Sequence, residues 1–495
     1  MASYLSRTLF MGSLIAWGAI TSPASAENTN LSQAVELAIL TNPEISAQFQ
    51  HFQSTLEDQA IERGALRPQV DVSGWTGRSW RSNADGGYAS NWNGSGYNLS
   101  LRQLLFDGFS TLNRVRELGF EKLSEYYGLK ATMDNVAIEA TRAYLDVQRF
   151  REQVRLANDN YETHRKTLGL ISERSASGVG RGVDVAQANA RLALAQSNVM
   201  VATGNLNDVT QRYQRIVGKA PTDSLLDTQD VSREIPASAE NFSDAIRGNP
   251  SVLAKQALVQ AAEHGKASAR GRFAPTLELQ ADTGRSQDQP PGYPDRNAQN
   301  SRIQLVANFN LYRGGSDSAR VRQAAARTYA AQDIRNYTCR NVEQELAIAW
   351  NEVMRLRQQI PFLEKHVLDS SKVRVAYMEQ FKIGERSLLD LLDSENELFD
   401  ARQALNNGTH DLQIAEYRWL GMAHRLLPAI GLGDPYSDSP KEATGLNFPD
   451  DMLQACLTPL PNPGSFEPIE VKYRSGTKPP VLNKSSAQPA AGSWD

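Results

Sequence analysis

Residues 97–116 read YNLSLRQLLFDGFSTLNRVR, and residues 303–322 read IQLVANFNLYRGGSDSARVR. Each stretch changes period part-way along. Tyr97, Leu99 and Leu101 alternate with Asn98, Ser100 and Arg102, while Ile303, Leu305, Ala307 and Phe309 alternate with Arg302, Gln304 and Asn308. That is the period of a strand with one apolar and one polar face. Phe106-Asp107-Gly108 and Tyr312-Arg313-Gly314 then punctuate, and Arg114-Val115-Arg116 and Arg320-Val321-Arg322 open a helical pattern. The offset of 206 residues persists through Gly178 and Gly384, Asp184 and Asp390, Leu192 and Leu398, and Tyr213 and Trp419. Upstream it becomes 207, pairing Asn42-Pro43 with Asn249-Pro250 and Pro68 with Pro275, so one residue has been deleted between the copies. The chain is a duplicated unit followed by a tail.

Upstream of these stretches, Val70-Asp71-Val72-Ser73 and Leu277-Glu278-Leu279-Gln280 supply partner strands, which predicts β-hairpins over 69–106 and 276–312. Their connecting loops, 81–96 and 285–300, are rich in Gly, Asn, Asp, Ser and Pro. Trp75, Trp80, Trp92 and Tyr97 fall near strand ends, as an interfacial aromatic girdle requires. Downstream, Tyr126, Leu129, Met133, Val136, Ala140, Ala143 and Val147 begin a 3,4 seam that continues through Ala157, His164 and Ile171. The second copy repeats it through Val342, Leu346, Ala349, Val353 and Leu356, with Pro361 expected to interrupt and bend that helix. A sustained 3.5-residue period winds helices into a left-handed supercoil. Asn42-Pro43 and Asn249-Pro250 read as N-caps with proline at the first helical position.

The expected organisation is a signal peptide over 1–26, a first repeat over 27–241, a second over 242–424 and a Pro-rich irregular tail over 425–495 that wraps the surface instead of forming a core. The first repeat comprises helix 43–66, hairpin 69–106, long helix 110–177 and helix 184–217. The second comprises helix 250–273, hairpin 276–312, long helix 316–383 and helix 387–422. The signal reading rests on Arg7, the apolar run from Leu9 to Ile20, and Ala24-Ser25-Ala26 before Glu27. Half of the 22 prolines lie after residue 424, which marks the tail.

Composition removes several function classes. Lys plus Arg is 52 against Asp plus Glu at 56, a net charge of -4, so there is no basic field for nucleic acid. With a mean hydropathy of -0.47, and no apolar run of about 18 residues after the signal, a spanning helix is not expected. Two cysteines exclude a thiolate metal cluster, and the six histidines show no metal-ligand spacing. His164 falls on the apolar seam and reads as a packing histidine. Gly178, Gly180 and Gly182 lack the preceding strand of a phosphate loop and read as a helical hairpin turn. No catalytic grouping is present, so neither an enzyme nor a cofactor is expected. Four amphipathic strands of about ten residues match the length that crosses an outer membrane, yet four cannot close a barrel. The chain is therefore expected to oligomerise there, with its helices below in the periplasm. A poreless periplasmic coiled-coil scaffold or adaptor is the alternative of another class, and it leaves the strands unexplained.

Over about residues 31–424 the chain resembles the TolC-like outer-membrane channel proteins of efflux and type I secretion. The motifs that carry this are Leu31-Ser32-Gln33-Ala34-Val35 with Asn42-Pro43, the hairpin exits, and the tips Gly178-Val179-Gly180-Arg181-Gly182 and Ile383-Gly384-Glu385-Arg386-Ser387. The resemblance implies a homotrimer with a twelve-stranded membrane β-barrel and a periplasmic α-barrel of twelve helical rows. It also implies a periplasmic adaptor and an inner-membrane pump, either an ABC transporter or a proton-driven one. Asp390 and Asp393 match the family's carboxylate ring at the tunnel entrance; the residues alone read as a solvated acidic face. Arg386 and Asp184 lie where polar links between neighbouring coiled coils hold the family's closed state. Phe381 stands where the family can carry Tyr, so one hydroxyl bond of that lock is expected to be missing. Gly178, Val179, Gly180, Ile383 and Gly384 lie where the adaptor docks. The stretch Arg425-Leu426-Leu427 with Ala429-Ile430-Gly431-Leu432 resembles the ending of the type I secretion branch, which favours protein export over drug efflux. Cys339 sits on the seam, equivalent to Met133; it is either a small buried residue or, in an oxidising compartment, a disulfide partner for Cys456.

Overall fold

The computed structural model describes residues 29–81, 90–237, 242–289 and 297–457. The signal segment, the hairpin tips and the last part of the tail lie outside them. Ten helices and four strands follow in the order α1 Leu31–Thr41, α2 Pro43–Gly64, β1 Gln69–Arg81, β2 Ser90–Phe106, α3 Ser110–Ala176, α4 Gly182–Val217, α5 Phe242–Gly248, α6 Pro250–Gly271, β3 Thr276–Gln287, β4 Ala298–Asn308, α7 Ser316–Lys382, α8 Leu388–Met422, α9 Leu426–Ala429 and α10 Asp450–Cys456. Expected boundaries shift by one or two residues at half of the ends of the six expected helices and match at the rest. The second hairpin is shorter than expected, because β4 stops at Asn308 and residues 309–315 are irregular. Phe309, Leu311 and Tyr312 are consequently exposed.

Local chemistry explains the starts. Asn42 Oδ1 accepts from Glu44 N at 2.8 Å and Asn249 Oδ1 from Ser251 N at 2.9 Å, each ahead of an N1 proline. The short helix α1, which the repeat comparison did not reveal, is fixed by a capping box between Asn30 and Gln33 and buries Leu31, Ala34, Val35, Ala38 and Ile39. The long helices α3 and α7 have 67 residues each, roughly 100 Å. Helix α7 runs through Pro361 without interruption, contrary to the sequence expectation.

The helices form one layer. Nearer the sheet its rows run α2, α3, α6, α7; farther away they run α4, α3, α8, α7. Each long helix is thus flanked by short ones stacked along it. Seam residues Ala157 and Ala202 fill one joint between α3, α4 and α8 together with Leu156 and Phe399, which lie beside the seam. The largest core lies at mid-height, where aromatic side chains anchor the segment linking the repeats. The Tyr144 hydroxyl donates to Leu226 O at 2.6 Å, Trp350 Nε1 to Pro236 O at 2.9 Å and Tyr417 Oη to Gln229 O at 2.8 Å.

The tail departs from its expected role. Leu426, Leu427, Ile430, Leu453 and Cys456 belong to the main core, because the tail closes over seam residues that would otherwise be wet. It then crosses the layer through Lys130 with Asp434, Lys122 with Glu442 (2.8 Å) and Arg247 with Asp450 (2.8 Å). A disulfide between Cys339 of α7 and Cys456 of α10, Cα atoms 5.8 Å apart, ties off its described end.

The sheet is an antiparallel meander in the order β1-β2-β3-β4, with β1 and β4 as free edges. Its register puts Val70, Leu101, Ala281 and Ile303 in one cross-strand row and Asp71, Ser100, Asp282 and Arg302 in the adjacent one. Apolar and polar faces thus stay separate across all four strands. The aromatic expectation holds only in part. Trp80 and Tyr97 share the parity of Val70 and Leu99, but Trp75 and Trp92 have the opposite parity and lie on the polar face. There Trp75 packs over Gly94 and Gly96, and Trp92 Nε1 donates to Asp288 at 3.2 Å.

Sheet and helices meet where Gly108 (φ +68°) approaches Gly271 so closely that a Cβ on Gly108 would lie 2.3 Å from Gly271 O. Its counterpart Gly314 (φ +63°) has open space. Gly108→Ala should therefore lower the thermal unfolding midpoint clearly more than Gly314→Ala, since only the first adds a backbone clash to the left-handed strain; equal losses would contradict this. Cys456→Ser should cost about 2–4 kcal/mol, and the loss should be reproduced by reductant on the parent but not on the variant.

Candidate functional site at the helical tips

Both hairpin tips turn through a left-handed glycine, Gly178 (φ +76°) and Gly384 (φ +82°), positions equivalent in the two repeats. Gly180 N and Val179 N donate back to Arg174 O at 2.9 and 3.1 Å, and Glu385 N to Gln380 O at 2.9 Å, closing the ends of α3 and α7. These turns push apolar side chains outward, Val179 being 83% and Ile383 71% exposed. Beneath them Ile171, Ala188, Phe381, Leu388, Leu391 and Leu392 form a small core that joins both repeats.

The expected acidic pair lies on the first turns of α8. Ser387 caps that helix, with Oγ accepting from Asp390 N at 3.2 Å and donating to Asp390 Oδ2 at 2.9 Å. Asp393 pairs with Arg191 of α4 at 2.7 Å, across the repeats, with 56% of the Asp393 side chain exposed. One carboxylate thus serves a local cap, and the other is part-neutralised by a cation that no motif singled out.

Arg386 and Asp184 are not brought together within the chain. Arg386 Nε donates to Gln380 Oε1 at 3.0 Å, its guanidinium lies 4.3 Å from the centroid of the Tyr377 ring, and Nη1 is 3.7 Å from Asp390 Oδ2. Asp184 sits half-exposed in the first turn of α4. Phe381 does lack a hydroxyl, but it is buried beneath the Arg174 guanidinium, 5.0 Å from the ring centroid. Arg174 Nη2 also donates to Lys382 O at 2.9 Å, so a cation at the end of α3 holds the end of α7. Arg174 and Arg191 are the tip residues that the sequence reading missed. Arg174 is equivalent to Gln380 in the second repeat, and that difference between otherwise matching positions is the signal that could have found it.

His164 is buried in the seam, with Nε2 3.3 Å from Asn396 Oδ1. Burial lowers its pKa, which keeps the ring neutral near pH 7. No helix of the described residues is long and apolar enough to cross a membrane, which says nothing of the sheet.

The chain is 25% identical over 422 residues to the outer membrane efflux protein BepC of Brucella suis, covering 85% of this chain and 91% of that one. It is 24% identical over 395 residues to the alkaline protease secretion protein AprF of Pseudomonas aeruginosa, covering 77% and 81%. Its fold matches the crystal structure of the CmeC outer membrane channel of Campylobacter jejuni with a TM-score of 0.73 at 16% identity, over 86% of this chain and 89% of that one. The family model described as outer membrane efflux protein matches residues 34–219 and 241–418. With the duplicated helical layer, the four-stranded sheet and the paired tips in place, the chain belongs to the outer membrane efflux protein family.

Proposed function

We propose that three copies of this chain close into a duct running from the periplasm through the outer membrane, and that it serves as the exit of a type I protein secretion system. The observation that carries the duct is the open sheet above an equally open helical layer. The outer edges of β1 and β4 meet no strand among the described residues, and the outer rows carry exposed apolar side chains, Ile61 (72%) and Met200 (72%) on α2 and α4, Tyr337 (66%) and Phe362 (68%) on α7. Two unlike edges that complement each other form head-to-tail contacts, and a ring satisfies them all. Three copies give twelve strands, within the range of outer-membrane barrels. The sheet also favours a duct over a poreless scaffold.

Type I secretion draws support from the likeness to AprF. The Leu426-Leu427 ending adds less than the sequence suggested, because those side chains are buried and cannot face a partner. The likeness to BepC supports a second reading, exit of drugs from a proton-driven pump. In either reading the tips receive a periplasmic adaptor through Val179 and Ile383 with Gly178, Gly180 and Gly384 shaping the turns, and the pump supplies the energy. Deleting the gene should abolish one or more secreted proteins in the first reading; drug hypersensitivity with an unchanged secretome would select the second.

Asp390 and Asp393 are assigned to the entrance constriction, where their charge sets cation preference and block by divalent ions. Replacing both with Ala should weaken each property while leaving assembly intact. Arg191→Ala should act in the opposite direction, because it unmasks Asp393. If both variants shift selectivity the same way, or neither shifts it, the ring assignment fails.

Closure is assigned to Arg386 meeting Asp184 between neighbouring coiled coils once copies assemble, with Arg174 on Phe381 steadying each tip. One exposed pair contributes about 0.5 kcal/mol, and three together about 1.5 kcal/mol, a roughly tenfold shift in the open population. Arg386→Ala and Asp184→Ala should each raise single-channel conductance or open probability, and the double variant should add little. Additive effects would remove the contact from the mechanism.

A further inference from the structure

Directly below the sheet, α3, α6 and α7 enclose a groove of about 710 Å³. Its floor is α6, through Ala261, Ala262, Gly265 and Ala269, and the larger side chains of α3 and α7 stand over it as walls. The tail lies on the other side of the layer. On α6 it meets Gln256, whose Nε2 donates to Asn447 O at 2.5 Å, and on α3 it meets Lys122. Ala262 and Gly265 are turned about 120–180° from Gln256, and Glu117 and Glu121 about 100–140° from Lys122. In the proposed duct the face belted by the tail lies outside, which leaves the groove towards the lumen.

Five cations line the groove against two carboxylates. Arg114 is neutralised by Glu117 at 2.8 Å, with Glu121 at 3.9 Å, and Arg320 by Asp317 at 2.8 Å. Lys255, Arg272 and Arg327 have no ion pair among the described residues. They lie at three levels, because α6 climbs to the sheet while α7 descends from it. Arg272 is at the top and Lys255 at the bottom. Arg327 is near the level of Ala262, whose carbonyl oxygen lies 3.3 Å from the adjacent Thr328 Oγ1. Successive levels are about 10–15 Å apart at 1.5 Å per residue.

We propose that this groove is an anion track on the duct wall, taking extended polyvalent anions of the phosphate or sulfate class through Lys255, Arg327 and Arg272. The placement on the duct wall rests on the duct reading; the binding of anions does not. Unpaired cations gathered along one groove concentrate counter-ions, and three levels match an anion with several charges along its length better than a single compact one. Such a track near the exit opposes the acidic entrance, so the duct would carry opposite fields at its two ends and favour anionic solutes over cations in its upper half.

Inorganic tripolyphosphate is the probe. Titrated calorimetrically into the detergent-solubilised full chain at low salt, it should bind, and the Lys255→Gln/Arg272→Gln/Arg327→Gln variant should weaken binding at least tenfold. Should that variant assemble poorly, Arg327→Gln alone, at an exposed position, should weaken binding a few-fold and Arg327→Lys should preserve it. In bilayers the same substitutions should relieve tripolyphosphate block of the Arg386→Ala channel and raise its cation-to-chloride permeability. Binding that is absent, or unchanged in the triple variant, overturns the track. Phospholipid retained by the parent but lost from the variant, without tripolyphosphate binding, assigns the cations to lipid headgroups and also overturns it. Groove-dependent binding with no conductance in any variant keeps the track and sinks the duct.

Discussion

Along the outer sides of β1 and β4 the backbone N–H and C=O groups have no strand partner among the described residues. In water such an edge is a tolerable liability, but in hydrocarbon each unmet group costs several kcal/mol. A sheet whose apolar face, with Val72, Leu99, Ile303 and Leu305 exposed, suits only lipid must therefore join other copies to lose its edges. That requirement propagates downward. Sheet and helices are fastened at the Gly108–Gly271 contact, so in the proposed duct the helical rows close in the same ring as the strands. The proposed closure would also cover the exposed apolar side chains on the outer rows α2, α4 and α7.

The duplication supplies matching positions, but a repeat in sequence does not give equal work in space. Helix α3 is an inner row, flanked on both sides within the chain, whereas α7 is an outer row with one flank free. Hence Arg174 at the end of α3 reaches the carbonyl groups ending α7, while the side chain of its counterpart Gln380 accepts from Arg386 within its own hairpin. Asp184 and Asp390 are likewise equivalent in sequence, yet only Asp390 shares the cap with a serine. The tips are asymmetric wherever one repeat faces its neighbour inside the chain and the other faces a neighbouring copy.

The mid-height belt shows why an irregular, proline-rich stretch need not be peripheral. Tyr144, Trp350 and Tyr417 each bury a large apolar body and spend one polar atom on a carbonyl of the linking segment. The tail does the same with charges, bringing Asp434 and Glu442 to Lys130 and Lys122. A branch-like motif such as Leu426-Leu427 then reports packing against this core, and its value as a sign of the partner falls accordingly.

The sequence by itself determined the six helices and four strands of the two repeats, but not the short helices α1, α5, α9 and α10. A 3.5-residue seam, two period-two pairs and two Asn-Pro caps each reflect an interaction between residues close in the chain, so spacing alone exposes them. It also located the tips, because a left-handed turn needs Gly178 and Gly384. Tertiary structure decided which strand parity faces which way, moving Trp75 and Trp92 off the apolar face, since register is a property of paired strands. It decided that Asp393 meets Arg191, that Phe381 lies under Arg174, and that Cys339 reaches Cys456. Each of those contacts joins residues about a hundred or more positions apart on different rows of the layer. Their proximity depends on how the rows are ordered, and no local spacing encodes that order.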